Sequence, residues 1–581
     1  MTFFIDLMKG LLNFTFVFLL GLSITSGQEV SENPALSHKT YQSDLSDAYA
    51  RINPSKDGWD SEVRGSQYGE QLGDFTEALL HHKETDVPSP DFKGQEIRPA
   101  KLRTYFENAG LTVKRGESSP ELKPLDALTP KWQTNLKIKV KVTRIEPASC
   151  EALLTFKSPL LQINTLWKCD WTETDPPLLK SLRVLDYEEV EQKGEQLLSD
   201  VTPSVLGKIP SYQEQLLYST DHWRLRMPRD FGLDPAANHG LALGDVNGDG
   251  LEDLYLCQQG GLPNRLFLQN PDGTMRDFSA ESKTDWMDYC AAALLVDLDN
   301  DGDKDLVVSQ DFKILFMENM DGQGHFELIF GSSTKSQSFS LSAADFDVDG
   351  FLDVYICGYN PSYSEARAGA LGEPIPFHDA NNGGNNMLWR NLGNWTFEDV
   401  AEKVGLNADN TRFSFAASWE DYDKDGDLDL YVANDFGRNC LYQHQGNLEG
   451  QLPFFVNIAS QLEVEDSSAG MSASWGDFNR DGWMDLYVSN MYSSAGNRIT
   501  YQKQFKTGAD EKTRATFQQM ARGNTLFAAN GKGGFRDISD TTQTTMARWS
   551  WGSTFADLNN DGWLDILAAN GFITAEDTGD L

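Results

Sequence analysis

Asp421-Tyr422-Asp423-Lys424-Asp425-Gly426-Asp427-Leu428-Asp429 puts aspartate at positions 1, 3, 5 and 9 of a nonapeptide and glycine at position 6. Alternate residues 1, 3 and 5 aim side-chain oxygens inward, the glycine permits the sharp turn, and the aspartate at 9 closes the cage. The spacing recurs five more times. Asp245, Asn247, Asp249 and Asp253 carry it first, then Asp297, Asp299, Asp301 and Asp305, then Asp345, Asp347, Asp349 and Asp353. Beyond the quoted stretch come Asp477, Asn479, Asp481 and Asp485, and finally Asp557, Asn559, Asp561 and Asp565. Every donor is a hard oxygen, a set that suits Ca²⁺ and its variable geometry better than Mg²⁺ and its strict octahedron. One such stretch would be an ordinary Asp/Gly turn. Six with one spacing point to six structural Ca²⁺ ions, one per loop.

An EF-hand shares the first six positions but needs a bidentate glutamate at position 12 and helical flanks. Position 12 here is Leu256, Val308, Ile356, Val432, Val488 and Ala568, all apolar. The flanks read as strands. Small-residue runs such as Ala291-Ala292-Ala293 and Ser414-Phe415-Ala416-Ala417 precede the loops, and apolar runs such as Leu254-Tyr255-Leu256 and Leu430-Tyr431-Val432 follow them. Each loop is therefore expected to be a hairpin turn between two buried strands. A second hairpin follows in most repeats, opened by Asn264-Arg265-Leu266-Phe267, Asn386-Met387-Leu388-Trp389, Asn439-Cys440-Leu441-Tyr442 or Asn524-Thr525-Leu526-Phe527. Two hairpins per repeat make a four-stranded unit, and such units recurring every ~50–80 residues are the sequence sign of propeller blades.

These residues resemble the FG-GAP or VCBS repeats of integrin-α-like propellers, and the wider pattern is similar to the acidic exported proteins related to cartilage acidic protein, the ASPIC/UnbV-associated family. The resemblance covers about residues 233–571. It implies a mainly β chain, a β-propeller with structural calcium in the inner-hairpin loops. Six calcium-loop blades are countable, with six or seven in total. Leu216-Leu217-Tyr218 and Trp223-Arg224-Leu225-Arg226 are expected to form an outer hairpin that closes a six-bladed ring with the Asp557 hairpin. The chain departs from the family in lacking a Phe-Gly…Gly-Ala-Pro pair, an Arg-Gly-Asp and an EGF-like cysteine cluster; against the resemblance, no counterpart of the relatives' C-terminal domain is expected within these residues.

The remaining sequence bounds the function. The 581 residues carry 49 basic and 87 acidic side chains, a net charge of −38 that repels a phosphate backbone and excludes nucleic acid as a partner. An apolar run from Leu11 to Leu22 followed by small and polar residues reads as a signal peptide over 1–27. An uncleaved interfacial segment is the alternative, because Lys9 is offset by Asp6. No later stretch approaches the ~20 apolar residues of a membrane span. An exported protein is expected, either secreted or periplasmic and cell-surface. Residues 28–130 read as a poorly structured leading segment with a helical patch around Asp74–His82. Residues 131–210 read as a small α+β domain with strands from Leu136, Glu151, Gln162 and Leu179 and a helix near Glu188–Leu206. Residues 211–581 form the propeller. Trp167 and Trp171 are read as core and not as a cleft. Cys150 and Cys169 lie on neighbouring strands, either bridged or simply buried; pairing among Cys257, Cys290, Cys357 and Cys440 is open.

Two repeats carry insertions, Gly358–Asn385 and Asn490–Gly523, both leaving the far end of a second strand. The second holds Arg498, Tyr501, Lys503, Lys506, Lys512, Arg514 and Arg522, a basic cluster on an acidic protein that would take an acidic glycan or protein. A plain surface helix is the alternative. No catalytic motif is present, so an extracellular binding, adhesion or scaffold protein is expected, not an enzyme. The alternative is a glycan lyase or hydrolase using His378, Tyr501 and Arg498, with structural calcium.

Overall fold

A computed structural model of the chain describes residues 60–81, 83–125, 128, 135–194, 198–218, 222–223, 226–227, 240–361, 374–446 and 450–571. The signal peptide expected over 1–27 lies outside the described residues. The chain divides into two compact units, and the division is not a simple cut: residues 494–508 belong with the first unit, not with the repeats that flank them in sequence.

In the first unit, α1 (Asp60–His81) precedes β1 (Pro88–Gly94), β2 (Arg103–Glu107), β3 (Leu111–Arg115), β4 (Lys137–Glu146), β5 (Ser149–Lys157), β6 (Leu161–Trp171) and β7 (Leu179–Gln192). They make one sheet in the order β2-β3-β7-β6-β5-β4, with β1 pairing parallel to β7. Tyr68, Leu72 and Phe75, at helical spacing, give α1 a fully buried stripe, and the Tyr68 ring stacks 4.4 Å from Trp171. Trp167 and Trp171 are core residues, as expected. Two expectations are corrected here. The leading segment is structured from Asp60, because its helix and three strands bury Phe75, Val87, Phe92 and Ile97 in the same core as β5 and β6. The helix expected near Glu188–Leu206 is instead the end of β7, whose Glu188, Glu189, Val190 and Glu191 pair with β3, and among the described residues of that span only Thr202–Val205 is helical. An acid-rich stretch, Glu188-Glu189-Val190-Glu191, set against Arg115 and Lys114 of β3 reads locally like a charged helix; cross-strand pairing decides it.

The second unit is a run of antiparallel sheets. Sheet 1 contains Leu241–Gly244, Asp253–Leu256, Arg265–Gln269 and Met275–Asp277; sheet 2 contains Cys290–Val296, Asp305–Gln310, Lys313–Asn319 and Phe326–Ser333. Sheet 3 contains Ser336–Ala344, Asp353–Pro361, Met387–Asn391 and Phe397–Asp399; sheet 4 contains Ser414–Glu420, Asp429–Asn434, Cys440–His444 and Phe455–Asn457. Sheet 5 contains Gly470–Gly476, Asp485–Asn490, Thr525–Ala529 and Phe535–Asp537, and sheet 6 the single hairpin Ser550–Ala556 and Asp565–Asn570. First strands pack against one another in chain order. Their small residues follow from this closeness: a Cβ on Gly476 would lie 2.7 Å from the Phe555 ring. The core is layered, with one apolar cluster between each successive pair of sheets from 1 to 5. Among the described residues Leu216–Tyr218 and Trp223 form no strand of the expected outer hairpin; Arg224 and Leu225 lie outside the described residues. Tyr212–Leu216 is a π-helical turn, and Ile209, Tyr212 and Leu216 pack at helical spacing on Phe267 of sheet 1.

Candidate metal loops

Each nonapeptide joins the first and second strands of its sheet, and the aspartate at position 9 opens the second strand in every case. Three backbone hydrogen bonds fold the loop around its own carboxylates. In the 421 loop, Asp421 Oδ1 accepts the Asp425 N–H at 3.0 Å and Asp421 Oδ2 the Gly426 N–H at 3.1 Å; Asp425 Oδ1 accepts the Asp427 N–H at 3.1 Å. The Gly N–H bond to position 1 recurs in all six, at Gly250, Gly302, Gly350, Gly482 and Gly562 as well. Position 6 is glycine because φ there lies between 83° and 98°, a region side chains avoid, while a Cβ at Gly302, Gly350 or Gly426 would meet nothing. Position 4 also has positive φ, at Asn300, Val348, Lys424, Arg480 and Asn560.

Carboxylate oxygens converge within 4.8 Å in three loops: Asp297, Asp299 and Asp305; Asp345, Asp347 and Asp353; Asp421, Asp423 and Asp425. In the other three, position 3 is Asn247, Asn479 or Asn559, which offers an amide carbonyl instead of a carboxylate. Those carbonyls also turn inward, accepting the N–H of Asp249, Asp481 and Asp561 at 3.1, 2.8 and 2.9 Å. The donor set fits a hard divalent cation. Residues at 1, 3 and 5 would hold it, and its charge would neutralise carboxylates that otherwise repel one another.

Position 9 does more than close the cage. Asp253, Asp305, Asp353, Asp429 and Asp485 are buried. Each accepts at Oδ1 from a backbone N–H on the third strand: Gln269, Asn319, Asn391, His444 and Ala529, at 2.8 to 3.0 Å. Oδ2 of Asp253, Asp305 and Asp353 accepts the N–H of position 2 at 3.0, 2.9 and 3.2 Å. The residue thus ties the inner hairpin to the outer one. Burial pushes the carboxyl of Asp305 up to about 7 and those of Asp353 and Asp429 up to about 8, with loop carboxylates adding to the shift. Asp303, at position 7, is raised to about 6 by burial and by Asp301, Asp299 and Asp297.

Third-strand residues facing the loops escape a motif search. Gln443 Nε2 donates to Asp423 Oδ2 at 2.7 Å, and Arg390 lies against Asp347 and Asp349. A polar residue after an apolar run, as in Met387-Leu388-Trp389-Arg390, is the trace of this in the sequence.

The basic cluster is divided between the two units. Arg498 and Tyr501, on and after the helix Ser494–Thr500, belong to the first unit along with Lys503 and Lys506; Arg514 and Arg522, on the helix Glu511–Arg522, belong to the second. Arg498 pairs with buried Glu62 at 2.9 Å and donates to the Val142 carbonyl at 2.8 Å. Tyr501 lies under the Arg144 guanidinium at 3.2 Å, and Arg522 pairs with Asp537 at 2.8 Å. His378 packs its ring 5.1 Å from Phe517 in the second unit. All six cysteines are buried free thiols; Cys150 and Cys169 stand directly opposite across β5 and β6.

A family profile described as FG-GAP-like repeat matches residues 245–308, 297–356, 421–488 and 516–568, which together contain all six nonapeptides. Cartilage acidic protein 1 of Mus musculus is 25% identical over 193 residues, covering 33% of this chain and 26% of the mouse protein, so the match spans about a quarter of that relative's length. Among solved structures, an Agrocybe aegerita lectin that recognises non-reducing terminal N-acetylglucosamine aligns at TM-score 0.32 and 15% identity over 57% of this chain and 74% of the lectin. A protein of Bacteroides uniformis provisionally described as a 6-phosphogluconolactonase aligns at TM-score 0.29 and 8% identity over 69% of this chain and 95% of that one. Both scores are too low to bear on the fold. With its six loops inside the matched residues, the chain carries FG-GAP-like repeats over 245–356, 421–488 and 516–568, and a third of it is similar to cartilage acidic protein 1.

Proposed function

We propose that this chain is a calcium-structured β-propeller that works outside the cell as a binding or adhesion protein. The observation that carries the reading is the convergence of loop carboxylates within 4.8 Å in the loops that begin at Asp297, Asp345 and Asp421. Calcium would hold those hairpins shut, and sheets packed through their first strands would present a rigid surface. Leu241 and Leu243, both 58% exposed on the first strand of sheet 1, are the surface that a closing sheet would cover. Among the described residues no helix is long and apolar enough to cross a membrane. For an anionic partner such as an acidic glycan, Lys503 and Lys506 are the residues we assign, since both are exposed on the inserted segment.

A thermal melt with and without EDTA, alongside metal analysis, tests the calcium reading. The expected result is several Ca²⁺ per chain and a melting temperature that falls on chelation. No bound calcium and an unchanged melt would remove the metal from the reading and leave six plain turns. Binding to an immobilised acidic glycan that survives Lys503→Ala and Lys506→Ala together would overturn the assignment of the anionic site.

A further inference from the structure

The six loops share a backbone but not an electrostatic setting, and the difference comes from one register position on the third strand. That position lies immediately beyond the pairs Leu254↔Phe267, Leu306↔Met317, Val354↔Trp389, Leu430↔Tyr442 and Leu486↔Phe527. It is occupied by Leu268, Glu318, Arg390, Gln443 and Ala528 in sheets 1 to 5. Where position 3 of the loop is asparagine, in sheets 1 and 5, the facing residue is apolar. Where position 3 is aspartate, in sheets 2, 3 and 4, the facing residue is polar.

In sheet 3 it is a cation. Arg390 Nε lies 2.6 Å from Asp347 Oδ2 as an ion-pair contact, and Arg390 Nη2 donates to Asp349 Oδ2 at 2.8 Å. The guanidinium therefore spans positions 3 and 5, two of the three inward ligands. Asp347 is 5% exposed and Arg390 24%, so water screens the pair only weakly. Sheet 4 supplies the comparison inside the same chain: Gln443, at the same register, holds Asp423 Oδ2 at 2.7 Å without adding charge. Oδ1 of Asp347 and of Asp423 are alike buried without a hydrogen-bond partner among the described residues, so the 345 loop does not lack oxygens. At the register position facing position 3, the two loops differ by a fixed positive charge; within the loops, Val348 and Phe351 stand where the 421 loop has Lys424 and Asp427.

We propose that Arg390 is a built-in counter-ion of the Asp345–Asp353 loop, holding it folded without metal and making it the weakest calcium site among the three loops with aspartate at positions 1, 3 and 5. The inference rests on the calcium reading of the other loops. A divalent ion entering this loop meets a like charge within a few ångströms and must displace one ion-pair contact and one charge-assisted hydrogen bond, a penalty worth about tenfold or more in affinity.

The test is calorimetric calcium titration of the full chain, with bound metal counted after dialysis at micromolar free Ca²⁺. Arg390→Gln, which installs the sheet 4 residue, is expected to bind one more Ca²⁺ than the parent, or to tighten one site by about tenfold or more. Adding Asp345→Asn to that variant should remove the gain. Equal stoichiometry and affinities in parent and Arg390→Gln would overturn the proposal while leaving calcium in the other loops; no calcium in either would overturn the calcium reading and the proposal with it. A second measurement does not depend on the Arg390→Gln fold. Asp345→Asn in the parent should leave the micromolar calcium count unchanged, and a count lower by one would show the loop already filled and overturn the assignment.

Discussion

Asp353 Oδ1 accepts the backbone N–H of Asn391 at 2.8 Å, 38 residues further along the chain, fastening the calcium-type hairpin of sheet 3 to its outer hairpin. Asn391 in turn donates from Nδ2 to the Leu298 carbonyl of the preceding loop at 2.7 Å, and Asn319 does the same to the Val246 carbonyl at 2.8 Å. One sheet is thereby hooked to the loop of the sheet before it. The aspartate at position 9 is a staple, and a role as metal ligand would separate from it experimentally.

Asp353→Ala leaves the N–H groups of Phe346 and Asn391 buried without acceptors. The expected loss is about 2–4 kcal/mol. Urea unfolding in EDTA measures it, because a loss that persists without metal belongs to the staple. An effect seen only in calcium would assign the residue to coordination alone.

Gly426→Ala tests the turn. At φ 95° the added Cβ meets no neighbour within 4 Å, so the cost is backbone strain alone, about 1–2 kcal/mol. Calcium titration of the variant should show one weakened site, since the Gly426 N–H orients Asp421. A variant as stable as the parent would mean that the loop relaxes out of the left-handed region.

Arg498→Ala separates a structural from a ligand-binding role. Breaking its ion pair leaves Glu62, 5% exposed, short of its charged partner, for an expected destabilisation of about 3 kcal/mol. Chemical unfolding reads this directly. An unchanged stability with weakened binding to an acidic glycan would return Arg498 to the ligand surface.

Asp435 sets a pH dependence remote from the loops. Burial pushes its carboxyl up to about 7, even though the Tyr359 hydroxyl donates to it at 2.5 Å. With a folded value above the ordinary carboxylate value, its stabilising contribution is fully present below about pH 4 and is lost as pH rises through 7. Comparing unfolding free energies of the parent and Asp435→Asn from pH 4 to 8 checks the sign: the difference should move by about 2–4 kcal/mol in favour of the variant as pH rises. A pH-independent difference would mean that the carboxyl titrates normally in the fold.

By itself the sequence determined the six loops, their hairpin setting and the strand–loop–strand repeat, because each loop's hydrogen bonds run between residues two to five apart, as from Gly426 to Asp421. Periodicity of two in β4 to β6 and the buried valine or isoleucine at position 12 were legible for the same reason. Tertiary structure alone decided what depends on distant partners. Arg390 faces Asp349 across 41 residues, and Arg498 faces Glu62 across 436, so a basic cluster in the sequence became two ion-pair anchors and a counter-ion went unnoticed. Glu188–Glu191 became strand instead of helix because Arg115 and Lys114 of β3 pair with it. Tyr212–Leu216 became helical because Phe267 offers its face. Local hydrogen-bond chemistry is written in neighbouring letters; the burial of a charge, and the partner that makes it tolerable, exist only once the chain has folded.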